Sequence, residues 1–294
     1  LFTLKKMLLS VIQMRKFVSK GKIIRIISNL YTVVVDELII EARARGRFRK
    51  DEITPVVGDE VIIDVEKKYI TEILPRRNYL PRPSISNIDL VICVTSTKKP
   101  DLSLNLLDKQ LAFLALNDIP SMIVVTKYDL LDDLEKAKFD EVFKYYELIG
   151  IKVLFNTDIL GIKQYLKGKE VGLLGQSGAG KSSLINKLGN YNIHTQEISE
   201  ALGRGKHTTR HVEIYPVDDF YLIDTPGFSA LDLNFLDRNR LKDGFKEFNN
   251  YSCRFKDCLH YKEVDCGVKE AVGKTILSSR YDNYVNFLEK EKWK

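Results

Sequence analysis

The spacing of apolar residues divides the chain into segments of different structural type. Between residues 22 and 74, short β-branched or alternating apolar segments are separated by Gly, Asn, Asp and Pro, which is typical of strands joined by turns. The predicted strands are residues 23–27, 32–35, 41–45, 61–65 and 70–74. So many short strands in so few residues predict a small β-barrel, and an OB-fold is the best candidate.

From residue 88 onward, apolar runs alternate with segments of helical spacing. The predicted strands are residues 90–94, 121–125, 152–155, 171–174, 211–215 and 220–223, and the predicted helices are residues 104–116, 134–149 and 183–188. This alternation predicts a mostly parallel sheet covered on both faces. The connector 73–83 is rich in proline and arginine and is predicted to be extended, with a domain boundary near Leu80. The chain closes with an aromatic-rich predicted helix at residues 281–293.

Charge is concentrated at one end of the chain. The net charge is +6, but residues 1–83 hold 17 Lys and Arg against 10 Asp and Glu, a net +7, so the remainder sums to −1. This asymmetry favours a polyanion-binding module, with a solvated basic face as the alternative.

Within this basic part, arginines recur at every second position of residues 43–49. If this segment is a strand, they share one face, which would bind phosphates or form a charged, soluble edge. They are Arg43, Arg45, Arg47 and Arg49.

A glycine-rich loop lies between predicted strand 171–174 and predicted helix 183–188 and matches G-x-x-x-x-G-K-[ST]. Glycines let backbone N–H groups close on phosphate oxygens, and the helix start adds a positive dipole end. Lys181 is predicted to reach the outer phosphates and to act in catalysis, and the Ser182 hydroxyl to bind Mg²⁺. A chance lysine in a glycine-rich turn, the alternative, does not account for the flanking elements. The predicted phosphate-binding residues are Gly175, Gln176, Ser177, Gly178, Ala179, Gly180, Lys181, Ser182 and Ser183.

A second motif follows predicted strand 121–125. Thr126-Lys127-Tyr128-Asp129 resembles the guanine-reading Asn-Lys-x-Asp of GTPases, in which the carboxylate accepts two N–H bonds from guanine. Lys127 is predicted to pack over the base and to bind the phosphate loop. Thr126 replaces the asparagine and loses an amide contact, so guanine specificity is predicted to rest mainly on Asp129. Without the phosphate loop, a plain turn would be the alternative.

Two further segments complete the predicted nucleotide site. Asp224-x-x-Gly227 follows an apolar run; an acidic residue there holds Mg²⁺ in phosphate-loop enzymes, and the glycine N–H senses the γ-phosphate. The basic, glycine-rich loop at 203–210 suits a first switch loop. Thr208 or Thr209, with Thr209 favoured, is predicted to complete the Mg²⁺ shell. His207 is predicted to position or deprotonate water, and an RNA-contacting or merely exposed histidine is the equal alternative.

Three of the four cysteines cluster with a histidine near the end of the chain. The spacing is Cys253-x₄-Cys258-x-His260-x₅-Cys266. Three thiolates and an imidazole form a closed tetrahedral set, which predicts one structural zinc ion, with an iron–sulfur cluster as the alternative. Cys93 lies in an apolar run and is predicted to be a core residue. This usage of cysteine favours the cytoplasm.

The base-reading segment precedes the phosphate loop, the reverse of the order in an ordinary GTPase, so the predicted domain is circularly permuted. A barrel, a permuted GTPase and a Cys₃His cluster together resemble the RsgA family, the ribosome small-subunit-dependent GTPase A of bacteria. The resemblance begins at about residue 16 and is most specific at residues 175–183, 203–209 and 224–228 and in the cysteine spacing. It implies GTP hydrolysis on the small ribosomal subunit, late in its maturation.

The predicted fold class is α/β. The predicted parts are an N-terminal extension (1–16), an OB-fold RNA-binding domain (17–79), a circularly permuted GTPase domain (80–233) and a mostly helical zinc-binding domain (234–294). We expect a cytoplasmic monomer that uses GTP, Mg²⁺ and one Zn²⁺, contacts ribosomal RNA and has no membrane partner. Phe228 stands where many GTPases carry a water-orienting glutamine, which predicts slow intrinsic hydrolysis. A nucleotide-switched RNA-binding assembly factor that does not need hydrolysis, and an ATPase, remain as alternatives.

Overall fold

The computed structural model describes residues 18–44, 54–81, 84–191, 213–224 and 237–290. Two compact units form, one mainly from residues up to Ile88 and the other mainly from Asp89 onward. The strands are β1 (Val18–Ile27), β2 (Leu30–Val35), β3 (Leu38–Ala44), β4 (Glu60–Asp64), β5 (Tyr69–Ile73), β6 (Tyr79–Pro81), β7 (Ser84–Ser86), β8 (Leu90–Ser96), β9 (Ser121–Thr126), β10 (Lys152–Phe155), β11 (Glu170–Leu174), β12 (Glu213–Val217) and β13 (Phe220–Asp224). The helices are α1 (Leu104–Leu116), α2 (Asp133–Leu148), α3 (Ile159–Leu166), α4 (Lys181–Gly189), α5 (Gly267–Ala271) and α6 (Ser278–Lys290). Among the described helices, none has the length and apolar character needed to span a bilayer.

The first five strands close into a barrel, because β1 pairs with both β2 and β4. The circuit is completed by β2–β3, β3–β5 and β4–β5 pairs, so the predicted five-stranded barrel is confirmed. Alternation along the strands directs one set of side chains inward. The fully buried members of this core are Ile23, Val33, Val61, Ile63 and Ile70.

The proposed arginine face of the barrel is only partly described. Arg43 is exposed near the end of β3. The other members, Arg45, Arg47 and Arg49, lie outside the described residues, so the shared face stays a prediction.

A buried carboxylate joins the barrel to the chain that follows it. Asp59 has no exposed surface and accepts hydrogen bonds from Arg76 Nε (2.7 Å) and Nη2 (2.8 Å), Ser86 Oγ (2.6 Å) and the Val56 N–H (2.8 Å). The Arg76 hydrogen bonds to this carboxylate raise the pKa of the guanidinium. A buried charge needs such partners, so Arg76 and Ser86 are part of the barrel's packing.

The connector contains strand β6, whose backbone is extended as the sequence predicts, while residues 82 and 83 lie outside the described residues. β6 and β7 pair antiparallel, with Leu80 opposite Ile85. Both side chains are buried, and the Asn87 side chain accepts from the Arg77 N–H at 2.8 Å. Burial of these two apolar residues therefore stabilises the pairing of β6 with β7.

The second unit contains the predicted parallel sheet, in the order β10–β9–β8–β11. All seven residues of β8 are buried, as expected for a strand covered on both faces. Cys93 lies in its centre, where burial raises the pKa of the thiol to about 12, and is the core residue predicted. The carboxyl ends of these strands share one edge, which positions the chain after Ser96, Thr126 and Leu174.

The C-terminal part of this unit is largely helical. Two 3₁₀ helices, Arg238–Gly244 and Lys246–Asn250, precede α5 and α6. The Arg238–Gly244 segment and α6 both pack against α1. Aromatic side chains fill the interior of this region and stabilise the packing: Phe245, Phe248, Tyr284 and Phe287.

Candidate functional site

The phosphate loop follows β11 and ends at the start of α4. Gly175 and Gly180 have φ values of 148° and 98°, which disfavour any residue with a Cβ. A Cβ on Gly175 would lie 2.3 Å from the Val94 carbonyl oxygen. Glycine is therefore required where the loop passes β8.

Lys181 is folded over this loop. Its Nζ donates to the carbonyl oxygens of Gly175 (2.7 Å) and Gln176 (2.9 Å). Ser182, in the first turn of α4, is 9% exposed. A cation, a hydroxyl and a helix N-terminus thus converge on a glycine-rich turn, an arrangement suited to phosphate oxygens.

The segment after β9 is bonded directly to this loop. The Thr126 hydroxyl donates to the Ala179 carbonyl at 2.6 Å, and Lys127 Nζ donates to the Gly178 carbonyl at 2.9 Å. Thr126 is only 2% exposed, so its hydroxyl faces the loop rather than a base. The structure therefore gives Thr126 a role that the motif comparison missed, namely holding the phosphate loop in place.

Asp129 lies two residues beyond Lys127, on the 3₁₀ helix Tyr128–Leu130, and is exposed. Tyr128 fixes this turn, because its hydroxyl donates to Asp140 at 2.6 Å and its ring packs edge-on against Phe155. The Asp129 carboxylate is thus accessible beside a braced turn.

Thr97 also supports the site, and sequence reasoning did not identify it. Its hydroxyl donates to the Lys127 carbonyl at 2.8 Å, and Lys127 Nζ also donates to the Lys99 carbonyl. These contacts join the loop after β8 to the loop after β9. The only sequence signal is the polar run that follows β8, which is not specific.

Several predicted residues cannot be placed. His207, Thr208, Thr209, Gly227 and Phe228 lie outside the described residues. Asp224 ends β13, but its side chain also lies outside the described part. Their assignments stay predictions.

The four predicted metal ligands are brought together. The ligand atoms of Cys253, Cys258, His260 and Cys266 all lie within 4.8 Å of one another. The sulfurs of Cys253 and Cys266 are 3.7 Å apart, and His260 Nδ1 is 3.4 Å from each of them. Tetrahedral zinc with Zn–S bonds of about 2.3 Å requires S···S separations of about 3.8 Å. The donor set and its spacing therefore fit a zinc ion.

The surroundings of the cluster are consistent with this fit. Burial raises the pKa of the Cys258 thiol and raises that of Cys266 to about 12, while burial lowers the pKa of His260. A neutral imidazole is the form that binds metal, and a bound cation would keep the buried sulfurs as thiolates. Tyr281 donates to the His260 carbonyl at 2.7 Å, and Glu263 accepts the Tyr261 N–H at 2.9 Å. These hydrogen bonds fix the backbone of the loop between Cys258 and Cys266.

Comparison with known proteins identifies the family of the chain. Residues 20–71 match the RsgA N-terminal domain, and residues 73–234 match the RsgA GTPase family. The small ribosomal subunit biogenesis GTPase RsgA of Enterococcus faecalis is 43% identical over 279 residues, which cover 92% of this chain and 94% of that protein. The protein of the same name from Clostridium beijerinckii is 42% identical over 291 residues, with coverages of 93% and 99%.

Solved structures show the same relationship. YjeQ from Thermotoga maritima superposes with a TM-score of 0.78 at 33% identity, covering 92% of this chain and 97% of its own. YloQ, described as a circularly permuted GTPase, gives a TM-score of 0.77 at 34% identity, with coverages of 94% and 95%. The chain therefore belongs to the RsgA family of circularly permuted GTPases.

Proposed function

We propose that this GTPase hydrolyses GTP in a Mg²⁺-dependent reaction that the small ribosomal subunit stimulates, during biogenesis of that subunit. The observation that carries the nucleotide part is the direct bonding of the phosphate loop to the base-reading segment, through Thr126–Ala179 and Lys127–Gly178. The ribosomal part rests on the related proteins named for small-subunit biogenesis.

In this proposal each side chain has a defined role. Lys181 binds the outer phosphates, and Ser182 binds Mg²⁺ together with Thr209 and Asp224. Bound Mg²⁺ would neutralise charge that develops on the phosphates. The γ-phosphate is contacted by Thr209, favoured over Thr208, and by the Gly227 N–H, while His207 positions the attacking water.

Guanine is read by Asp129, with Lys127 packed over the base. Because Thr126 is buried against the loop, discrimination between guanine and adenine falls to the Asp129 carboxylate. The Cys₃His cluster holds one structural Zn²⁺. The barrel and the zinc region contact ribosomal RNA, and we place the monomeric protein in the cytoplasm, where subunits mature.

The decisive experiment is phosphate release from GTP, measured alone, with purified small ribosomal subunits and with large subunits as the matched control. We expect slow turnover alone, a large increase with small subunits and none with large subunits. Equal turnover in all three samples would contradict the proposal. Persistence of subunit maturation in cells carrying His207→Ala, with hydrolysis lost, would favour the nucleotide-switched assembly factor instead.

A further inference from the structure

Helix α1 carries two buried polar side chains that the nucleotide site does not use. Asp108 is fully buried and Gln110 is 2% exposed. Residues two apart on an α-helix are separated by about 200° around its axis, so these side chains leave opposite faces of α1. One face meets the C-terminal helical region, and the other meets the phosphate loop.

On the first face, Asp108 is the centre of a buried ion cluster. Its carboxylate accepts from Arg280 Nη1 (2.7 Å) and Asn283 Nδ2 (2.6 Å), both on α6, and from the Tyr146 hydroxyl (2.7 Å). Arg280 also donates through Nε to Glu247 at 2.7 Å. We call Asp108, Glu247 and Arg280 the Arg280 clasp.

The two carboxylates of the Arg280 clasp keep the Arg280 guanidinium in its charged form. Burial alone would lower the pKa of Arg280, but the two carboxylates raise it well above its ordinary value. The guanidinium also lies 4.3 Å from the centre of the Phe245 ring. A planar fork with two carboxylate partners sets the position of α6 on α1 more tightly than apolar contact would.

Helix α6 is in turn hydrogen-bonded to the loop between Cys258 and Cys266, which carries His260. Tyr281, the residue after Arg280, and Tyr284, one turn beyond it, donate through their hydroxyls to the carbonyls of His260 and Leu259. A continuous series of hydrogen bonds therefore runs from the Cys₃His cluster through α6 to Asp108.

On the opposite face, Gln110 lines a cavity of about 20 Å³ together with Gly175, Gln176 and Ala179 of the phosphate loop. Its Nε2 has no hydrogen-bond partner among the described residues. The volume suits about one water molecule, whose hydrogen bonds would join the amide to the loop. Leaving a buried amide without such a partner is unfavourable, which favours this bridge.

We propose that α1 couples the metal-binding region to the phosphate loop, with Arg280 as a positioning residue for the nucleotide site. Arg280 touches no substrate; it fixes α1 through Asp108, and α1 supports the loop through Gln110. The inference rests on GTP binding at that loop. Coupling is reciprocal, so nucleotide also changes the affinity of the cluster for zinc, by the same factor.

The test is the dissociation constant of a non-hydrolysable GTP analogue for the zinc-loaded full chain. Arg280→Met should weaken binding at least about fivefold, the lower range of typical allosteric coupling. Arg240→Met is the matched control, because the Arg240 side chain is more than half exposed and its one ion pair within the described part of the chain is a 3.9 Å contact with Asp243; this variant should bind the analogue normally. In a Gln110→Met background, Arg280→Met should have a much smaller effect, since the interaction of the Gln110 amide with the phosphate loop is already lost.

A merely structural Arg280 predicts equal effects in both backgrounds, and that result would overturn the proposal. If Arg280→Met does not fold, Arg280→Lys keeps the charge without the fork and enters the same cycle. In the wild-type chain, the analogue must change zinc affinity, measured by zinc competition, by the same factor by which zinc changes the affinity for the analogue; an unchanged zinc affinity also overturns the coupling. Failure of the wild-type chain to bind the analogue would instead refute the proposed GTP site.

Discussion

Replacing Thr126 by valine removes one hydroxyl and leaves the shape of the side chain nearly unchanged. The Thr126 hydroxyl donates its hydrogen bond to the Ala179 carbonyl oxygen at 2.6 Å in preference to the Thr95 carbonyl oxygen at 3.5 Å. Thr126 and Ala179 are both almost fully buried, so loss of this donor should cost about 1–3 kcal/mol. If this cost falls entirely on the ordered form of the loop that binds nucleotide, and not on the stability of the whole fold, nucleotide affinity should fall roughly 5- to 150-fold, at about 1.4 kcal/mol for each factor of ten.

The assay is equilibrium titration with fluorescent GDP and ADP, alongside urea unfolding to measure any part of the cost that appears as stability. Thr126→Val should weaken both nucleotides by the same factor, because the hydroxyl holds the loop and does not touch the base. Thr126→Ser, which keeps the hydroxyl, is the control. Asp129→Asn should lose GDP affinity and leave ADP affinity unchanged. A selective loss of GDP binding in Thr126→Val would refute the assignment of Thr126 to the loop.

Three further changes have defined outcomes. Cys266→Ser should abolish stoichiometric zinc, measured by metal analysis, and lower the melting temperature, because metal binding and folding are linked; full zinc occupancy would contradict the cluster. Gly175→Ala should remove nucleotide binding, measured by titration, since its Cβ would lie 2.3 Å from the Val94 carbonyl oxygen. Arg280→Met should cost about 3–5 kcal/mol in urea unfolding at neutral pH. Burial already raises the pKa of Asp108, and loss of the cation raises it further. The folded variant then takes up a proton more readily than the unfolded chain, so its deficit relative to wild type should shrink as pH falls through that raised pKa; a pH-independent deficit would contradict this.

The helices and strands could be predicted from the sequence because the apolar pattern of each segment determines its local structure. Helix α1 and strand β10 have the predicted bounds, since apolar spacing over a dozen residues and a short, mostly apolar run each indicate one structure. The same holds for the position of the glycine-rich loop between β11 and α4 and for the clustering of the three cysteines with His260, because a motif fixes residue types and spacings together.

Contacts between distant segments were not accessible. Arg280 and Asp108 are 172 residues apart, and no periodicity connects them; the only signal is a charged residue within the largely apolar helix α1. The role of Thr126 was missed for a similar reason. A motif compares residue types at one position, whereas the partner of its hydroxyl is a backbone carbonyl in another loop.

The Asp59 carboxylate has a practical consequence for dissecting the molecule. The match to the N-terminal domain ends at residue 71, yet the cation that neutralises this buried group, Arg76, and a second hydrogen-bond donor, Ser86, come later. A fragment cut at the end of β5 would retain an interior anion with the Val56 N–H as its remaining donor among those described. An excised barrel intended for RNA-binding studies should therefore extend through Ile88, so that it keeps its own counter-ion.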